Sequence, residues 1–146
     1  MQLTFSPVPK LTTSSTAAQD YLEQIHRLIG SKGYARVADI AAALEIAPAS
    51  VTAMIQRLDA EGLVVYEKYR GVVLTKDGRE IAEEVVKRHE VLASLLRSFG
   101  LDEATIYQDV EGMEHHISKA TLRVLTTIVE ELEANPKLLA RLRERL

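Results

Sequence analysis

The sequence predicts a mainly α-helical fold that carries one small β-hairpin. Apolar residues recur at the helical period in several segments, two short helices are separated by a brief turn, and one region has the composition of two short strands. With 146 residues, of which 47% are hydrophobic and 27% charged, the chain can bury one good core or two small domains that share an interface. These values are typical of a globular protein and exclude a disordered chain.

The first helix is predicted to follow an irregular N-terminal arm. Thr16 as N-cap and Gln19 three residues later fit a capping box, in which side chains satisfy the first free N–H groups of a helix. The helix should therefore begin at about Ala17. Gly30 and Gly33 are expected to end it, because glycine readily adopts the backbone conformation of a helix C-terminus.

The next segments predict a helix-turn-helix followed by a wing. A short helix over residues 37–44 is separated by a brief turn from a third helix, in which Pro48 suits the first turn and which Gly62 closes. Residues 63–67 and 72–74 are β-rich and are joined through a basic tip that ends in glycine, as in a hairpin. This order predicts a winged helix-turn-helix, and the alternative is a generic α+β packing.

The second half of the chain is predicted to be helical. A long helix runs from Thr75 to about Phe99, and Asp102 can cap a further helix. That helix should turn Ile106, Val110, Met113 and Ile117 inward, and further helices follow over residues 119–134 and from Pro136 onward. We expect a boundary between residues 1–75 and 76–146, with residues 76–99 as the linking helix.

Charge and composition restrict the class of protein. The net charge of −3 divides into +1 over residues 1–76 and −4 over residues 77–146, so DNA binding would need a local patch, a dimer or bound cations. The chain has no cysteine, which leaves histidine and carboxylates as strong side-chain metal ligands. No apolar run has the length of a membrane span, and the first 16 residues lack the pattern of a signal peptide. We therefore expect a cytoplasmic protein.

The outward face of the third helix predicts a DNA-reading surface. Small and hydroxyl residues near its N-terminus would let the helix enter the major groove, and longer polar side chains would reach bases or phosphates. The same small residues also suit an ordinary helix surface. The candidate DNA-binding residues are Ala49, Ser50, Thr52, Gln56 and Arg57 on this helix, Lys68, Tyr69 and Arg70 at the wing tip, and Arg36 before the second helix. These contacts are few for one chain, so a two-fold dimer is expected.

Chemistry-bearing residues are concentrated late in the chain. Glu111, Glu114 and His115 would share one face of a helix, like half of a metal site, although a solvated helix face has the same pattern. Asp20 and Glu23 form another carboxylate pair on the first helix, and His89 lies on the long apolar helix. Together these groups could hold two divalent ions.

Several collinear motifs resemble the diphtheria-toxin-repressor family of metal-dependent winged-helix regulators, in its manganese-responsive branch. They are Asp20-Tyr21-Leu22-Glu23-Gln24-Ile25, Lys32-Gly33-Tyr34-Ala35-Arg36-Val37, Ser50-Val51-Thr52, Tyr66-Glu67-Lys68-Tyr69-Arg70-Gly71, Arg88-His89-Glu90 and Asp109-Val110-Glu111-Gly112-Met113-Glu114-His115-His116. The resemblance implies a C-terminal helical metal-binding and dimerisation domain. It also implies two Mn²⁺ ions per subunit, with other divalent cations as possible surrogates, held by Asp20, Glu23, His89, Glu111, Glu114 and His115.

The two positions that distinguish the branches of this family are Asp20 and Glu114, where the iron-responsive branch has Met and Cys. Carboxylates here favour Mn²⁺, a cation that prefers oxygen ligands. His26 and His116 are not matched ligands.

The resemblance implies a metal-dependent repressor of manganese-uptake genes. Its partners would be double-stranded operator DNA and a second copy of the chain, with no membrane and no small organic substrate. We expect the dimer surface over residues 102–118 and the start of the long helix. Two alternatives are an enzyme with a dinuclear site, which lacks support because the chain has no repeated Glu-x-x-His pair, and a winged-helix regulator that does not sense metal.

Overall fold

The computed structural model describes residues 15–67 and 69–146, and within them it confirms a mainly helical fold with one hairpin. The elements in chain order are α1 (Thr16–Lys32), α2 (Val37–Leu44), α3 (Pro48–Ala60), β1 (Val64–Glu67), β2 (Gly71–Leu74), α4 (Lys76–Ser98), α5 (Glu103–Met113), a 3-10 turn (Glu114–His116), α6 (Lys119–Ala134) and α7 (Pro136–Arg143).

The start of α1 differs by one residue from the capping-box prediction. Ser15 is the N-cap, and its hydroxyl oxygen accepts a hydrogen bond from the backbone N–H of Ala18 at 3.2 Å. The helix therefore begins at Thr16 rather than at Ala17. It also continues through Gly30 and ends only at Gly33, whose φ of +82° belongs to the left-handed region that glycine tolerates.

The three N-terminal helices share one apolar core with the hairpin. The chain bends by 112° between α2 and α3, within the range of a helix-turn-helix. Side chains from all three helices meet in this core, including the fully buried Leu22, Ile40 and Leu58. The core therefore fixes the exposed face of α3 relative to α1.

No single helix in the described ranges is both long and apolar enough to cross a membrane. Only α2 and α3 taken together meet that test, by length and composition, across their sharp bend.

The wing is tied to the segment before α2. Strands β1 and β2 pair antiparallel, with Val64 opposite Leu74 and Glu67 opposite Gly71. The backbone N–H of Val72 also donates to the carbonyl oxygen of Ala35 at 2.7 Å, which adds a parallel bridge to the hairpin. At Gly71, φ is +79° and a side chain would overlap the Ala35 carbonyl, so this close approach requires glycine.

Helix α4 joins the N-terminal core to a second, smaller one. Thr75 caps α4, and its hydroxyl group also donates to the Gly62 carbonyl oxygen at 2.8 Å. Farther along α4, Leu92 and Ala93 pack with Ile106 and Val110 of α5. Those two residues of α5 point inward as predicted. Met113 is instead 45% exposed, because it lies at the end of the helix, where the chain tightens into the 3-10 turn.

Gly78→Ala should destabilise the protein, whereas Gly30→Ala should stabilise it. A methyl group at Gly78 would overlap the Leu63 carbonyl oxygen, so the substitution should cost about 2 kcal/mol or more. Gly30 lies inside α1 with nothing within 4 Å of an added methyl group, and alanine there should add roughly 0.5–1 kcal/mol. Urea unfolding of both variants measures the difference, and equal stabilities would contradict the packing at Gly78.

Candidate metal centre and nucleic-acid interface

The six predicted metal ligands come from four separate elements. Asp20 and Glu23 lie one turn apart on α1, and His89 lies on α4. Glu111 is in the last turn of α5, whereas Glu114 and His115 belong to the 3-10 turn. The prediction that these last three residues share a face of one α-helix is therefore only partly right, because α5 ends at Met113.

The structure brings all six side chains into two overlapping groups. Asp20, Glu111, Glu114 and His115 form one group, and Glu23, His89 and Glu114 form the other. Within each group, one potential ligand atom per residue lies within 4.8 Å of the others. Glu114 is common to both groups, which is an arrangement that can bridge two cations.

Glu114 is the buried centre of this cluster. Glu114 is 0% exposed, and its Oε2 lies 2.8 Å from His89 Nδ1. Its other oxygen, Oε1, is buried without a hydrogen-bond partner. Burial, followed by the charges of Glu23, Glu111 and Asp20, raises the pKa of Glu114 to about 8. Such a carboxylate needs a proton or a cation beside it at neutral pH.

His115 presents one ring nitrogen to the cluster. Its Nδ1 lies 2.7 Å from Gln19 Oε1, a carbonyl oxygen that can only accept, so Nδ1 carries the proton. In the neutral ring, Nε2 then keeps its lone pair, and this atom is buried without a hydrogen-bond partner although Asp20 Oδ1 is 2.9 Å away. The Nε2 and Oδ1 atoms are therefore close enough to bind the same cation.

Burial also affects the pKa of two other carboxylates in the cluster. Desolvation is the largest cause that raises the pKa of Asp20, and His115 opposes it. Desolvation likewise raises the pKa of Glu111, with additional contributions from Glu23 and Asp20. Glu23 is held by Arg27, whose Nη2 donates to its Oε1 at 2.8 Å. With two buried polar atoms lacking partners and only oxygen and nitrogen donors, the site fits a hard divalent cation.

The predicted DNA-binding residues form an exposed surface where the structure describes them. The α3 residues Ala49, Ser50, Thr52, Gln56 and Arg57 are all exposed. Arg57 pairs with Glu61 at 3.2 Å, and Thr52 donates its hydroxyl hydrogen bond to the Pro48 carbonyl oxygen at 3.1 Å. Lys68 lies outside the described residues.

Arg36 and the wing lie together. Arg36, Tyr66 and Tyr69 line one cleft of about 370 Å³, and the Arg36 guanidinium lies 4.7 Å from the centre of the Tyr34 ring. Tyr69 is 84% exposed, and Arg70 is 3.5 Å from Glu67. Tyr34 and Tyr66 were not among the sequence-based candidates, although two exposed aromatic residues beside an arginine are a typical signal of a binding surface.

Two family models match most of the chain. The model described as "Iron dependent repressor, N-terminal DNA binding domain" matches residues 13–72, and "Iron dependent repressor, metal binding and dimerisation domain" matches residues 75–141. The chain belongs to the iron dependent repressor family. The resemblance to diphtheria-toxin-repressor regulators is thus confirmed.

Comparison with individual proteins supports membership of this family. The HTH-type transcriptional regulator MntR of Lysinibacillus sphaericus is 49% identical over 124 residues, which cover 85% of this chain and 89% of that protein. A structure of the manganese-activated repressor ScaR in its apo form is 25% identical, with a TM-score of 0.64, and the match covers 75% of this chain and 53% of that one.

The manganese regulator SloR shares the fold, with a TM-score of 0.69 and 24% identity over 77% of this chain and 53% of that one. The chain thus spans about half the length of these two structures, but most of the length of the MntR relative.

Membership of the iron dependent repressor family makes the chain a metal-dependent transcriptional regulator rather than an enzyme. The family models supply a DNA-binding part and a metal-binding and dimerisation part, so DNA and a second copy of the chain are its partners. The helix-turn-helix and the wing up to Val72 lie in the first matched range, and four of the six clustered residues lie in the second.

Gln19 and Arg27 are structural members of the site that sequence reasoning missed. Gln19 was assigned to a helix cap, yet its side chain reaches His115, a residue 96 positions away. Arg27 lies one turn beyond Glu23, a spacing that could have indicated the pair. Of the other histidines, His116 is exposed and His26 is half-buried, and neither belongs to the two groups.

The metal-free protein should lose stability as pH rises towards 8. The folded state raises the pKa of Glu114 to about 8, whereas an exposed glutamate ionises near 4.5, so folding is progressively opposed between these two values. With chelator present, the Tm at about pH 8.5 should fall below that at about pH 6 by on the order of 5 °C.

Glu114→Gln is the matched variant for this pH effect, because it keeps the shape and cannot ionise. Its Tm should change much less between the same two pH values, as measured by circular dichroism. A wild-type Tm that rises with pH over this range would contradict the buried environment of Glu114.

Proposed function

We propose that this protein is a manganese-responsive repressor that acts in the cytoplasm and binds two Mn²⁺ ions per subunit. The observation that carries the proposal is the clustering of Asp20 and Glu23 with Glu111, Glu114 and His115, which joins α1 to the second half of the chain. His89 on α4 completes the set. We place the boundary between the two functional parts near residue 75, with α4 as the link.

The donor atoms support manganese over softer metals. The cluster supplies four carboxylates and two imidazoles, and the chain has no cysteine. Mn²⁺ prefers oxygen ligands, whereas thiolate and thioether ligands favour softer ions. The manganese-activated repressor ScaR and the manganese regulator SloR share this fold, which is in keeping with this choice.

Charge explains how the site could act as a switch. Four carboxylates that converge in a partly buried site repel one another, which opposes the docking of α1 against α4 and the 3-10 turn. Two bound divalent ions would supply four positive charges and remove this repulsion. Asp20 and Glu23 would then hold α1 in place, and because α1 shares a core with α3, the DNA-reading surface would be fixed as well.

The switch needs only a modest coupling energy. Metal binding can favour the DNA-binding arrangement by no more than its preference for that arrangement, typically about 1–3 kcal/mol. By reciprocity, DNA should tighten metal binding by the same factor.

An apolar surface on the second half of the chain supports the predicted dimer. Tyr107 and Met113 are exposed within the expected region of residues 102–118. Val124 and Ile128 on α6 are exposed as well, which extends the predicted surface along that helix. We propose that a second copy covers these side chains and thereby sets the distance between the two α3 helices.

Mn²⁺ should tighten DNA binding at least about tenfold, a gain of roughly 1.4 kcal/mol. The probe is a fluorescent duplex selected from a random library in the presence of Mn²⁺, and the measurement is anisotropy with chelator, Mn²⁺, anaerobic Fe²⁺ or Zn²⁺. Glu114→Ala should lose the gain, because it removes the residue common to both ligand groups.

Glu144→Ala is the control for this experiment, since Glu144 is exposed on the last turn of the chain. It should respond to Mn²⁺ like the wild type. If none of the metals changes the DNA affinity of the wild type, the protein is a winged-helix DNA-binding protein without the proposed switch.

Gln56→Ala and Arg70→Ala should weaken DNA binding in different ways. Gln56 is exposed on α3 and would read base edges, so its loss should cost about 1–3 kcal/mol on the selected duplex and little on a scrambled one. Arg70 at the wing would contact phosphate, so its loss should weaken both duplexes and lower the salt dependence. Salt titrations on both duplexes distinguish the two roles, and equal effects on both would assign Gln56 to the backbone.

A further inference from the structure

Arg27 places a positive charge directly on one predicted metal ligand. Its Nε and Nη2 both donate to the same oxygen, Glu23 Oε1, at 3.0 and 2.8 Å. The Glu23 side chain is 7% exposed and the Arg27 side chain 43% exposed, so the guanidinium covers the carboxylate from the solvent side. Both residues line a cavity of about 500 Å³ together with His89 and Glu111.

The contact concerns only one of the two ligand groups. Glu23 belongs with His89 and Glu114, whereas the group of Asp20, Glu111, Glu114 and His115 does not include it. Arg27 therefore acts directly on one candidate ion position and only at longer range on the other.

We infer that Arg27 is a built-in competitor for metal, which makes the position formed by Glu23, His89 and Glu114 the weaker of the two and the last to fill. The inference rests on the proposed function, because it assigns an order to the ions of that site. Arg27, which is not itself a ligand, would then help to set the metal concentration at which the second ion binds.

Two physical effects act in the same direction. First, Glu23 Oε1 already accepts two charge-assisted hydrogen bonds, so it is a poorer donor to a cation, and a cation beside it is repelled by the guanidinium. Second, the guanidinium of Arg27, 2.8 Å from Glu23 Oε1, offsets the repulsion among the carboxylates when metal is absent. Arg27 thus stabilises the metal-free cluster and destabilises the fully loaded one.

The opposite role is also physically reasonable, which makes the sign of the effect decisive. A residue that only orients Glu23 for metal would strengthen binding, as partners of ligands commonly do. Removing such a residue would weaken binding of the second ion, whereas removing a competitor would strengthen that binding.

The test is a Mn²⁺ titration of the full chain, followed by isothermal calorimetry and by the electron paramagnetic resonance signal of free Mn²⁺. Arg27→Gln should raise the affinity for the more weakly bound Mn²⁺ by about tenfold or more. It should change the affinity for the more tightly bound Mn²⁺ by less than about threefold. Arg27→Lys keeps the charge but loses the paired donors, so its affinity should fall between the wild type and Arg27→Gln.

Arg97→Gln is the matched control, because it removes one positive charge and one Arg–Glu pair, Arg97 with Glu103 at 2.7 Å, outside the two ligand groups. It should leave both Mn²⁺ affinities unchanged. Circular dichroism of each metal-free variant shows that it is folded before it is titrated.

The outcomes separate this inference from the proposed function. If the wild type binds two Mn²⁺ ions and Arg27→Gln leaves the weaker affinity unchanged or lowers it, the competitor role is wrong and the manganese site stands. If neither protein binds Mn²⁺, both proposals are wrong. If the wild type binds one ion and Arg27→Gln binds two, the inference is supported.

Discussion

The convergence of acidic side chains around Glu114 is the constraint on which the arrangement of this molecule depends. Glu114 is fully buried, and its carboxylate lies near those of Asp20, Glu23 and Glu111. Like charges in a partly buried site are costly unless protons or cations compensate them. The fold therefore contains a site whose electrostatic energy depends on the presence of positive charge, and this dependence lies at the contact between α1 and the second half of the chain.

The packing around this contact explains how its geometry can reach the DNA-reading surface. Helix α1 contributes Asp20 and Glu23 on one side and Leu22 on another, where it shares a core with α2 and α3. The wing is fixed by its bridge to Ala35, and the start of α4 packs against Leu63. Because packed cores shift as units rather than by gradual deformation, a change in the position of α1 would move α3 and the wing with it.

Two further side chains of α1 contact this acidic cluster. Gln19 accepts from His115 Nδ1 and so fixes which nitrogen faces the cluster, while Arg27 covers the outer edge of Glu23. Both lie on α1, next to or one turn from an acidic residue of the cluster. The same helix thus carries two of the carboxylates, the residue that orients an imidazole and the residue that partly neutralises a carboxylate.

The sequence by itself determined the fold class and most element boundaries, because helical periodicity, caps such as Asp102 and stops such as Gly33 act over a few residues. It also predicted which six residues meet, through the spacing of motifs and a family resemblance. Only the tertiary structure decided that Glu114 and His115 leave α5 for a 3-10 turn, that Gln19 reaches His115, and that Glu114 is buried. These features arise from contacts between residues that are far apart in the chain. The geometry of such contacts depends on how whole helices pack, so no local sequence pattern predicts it.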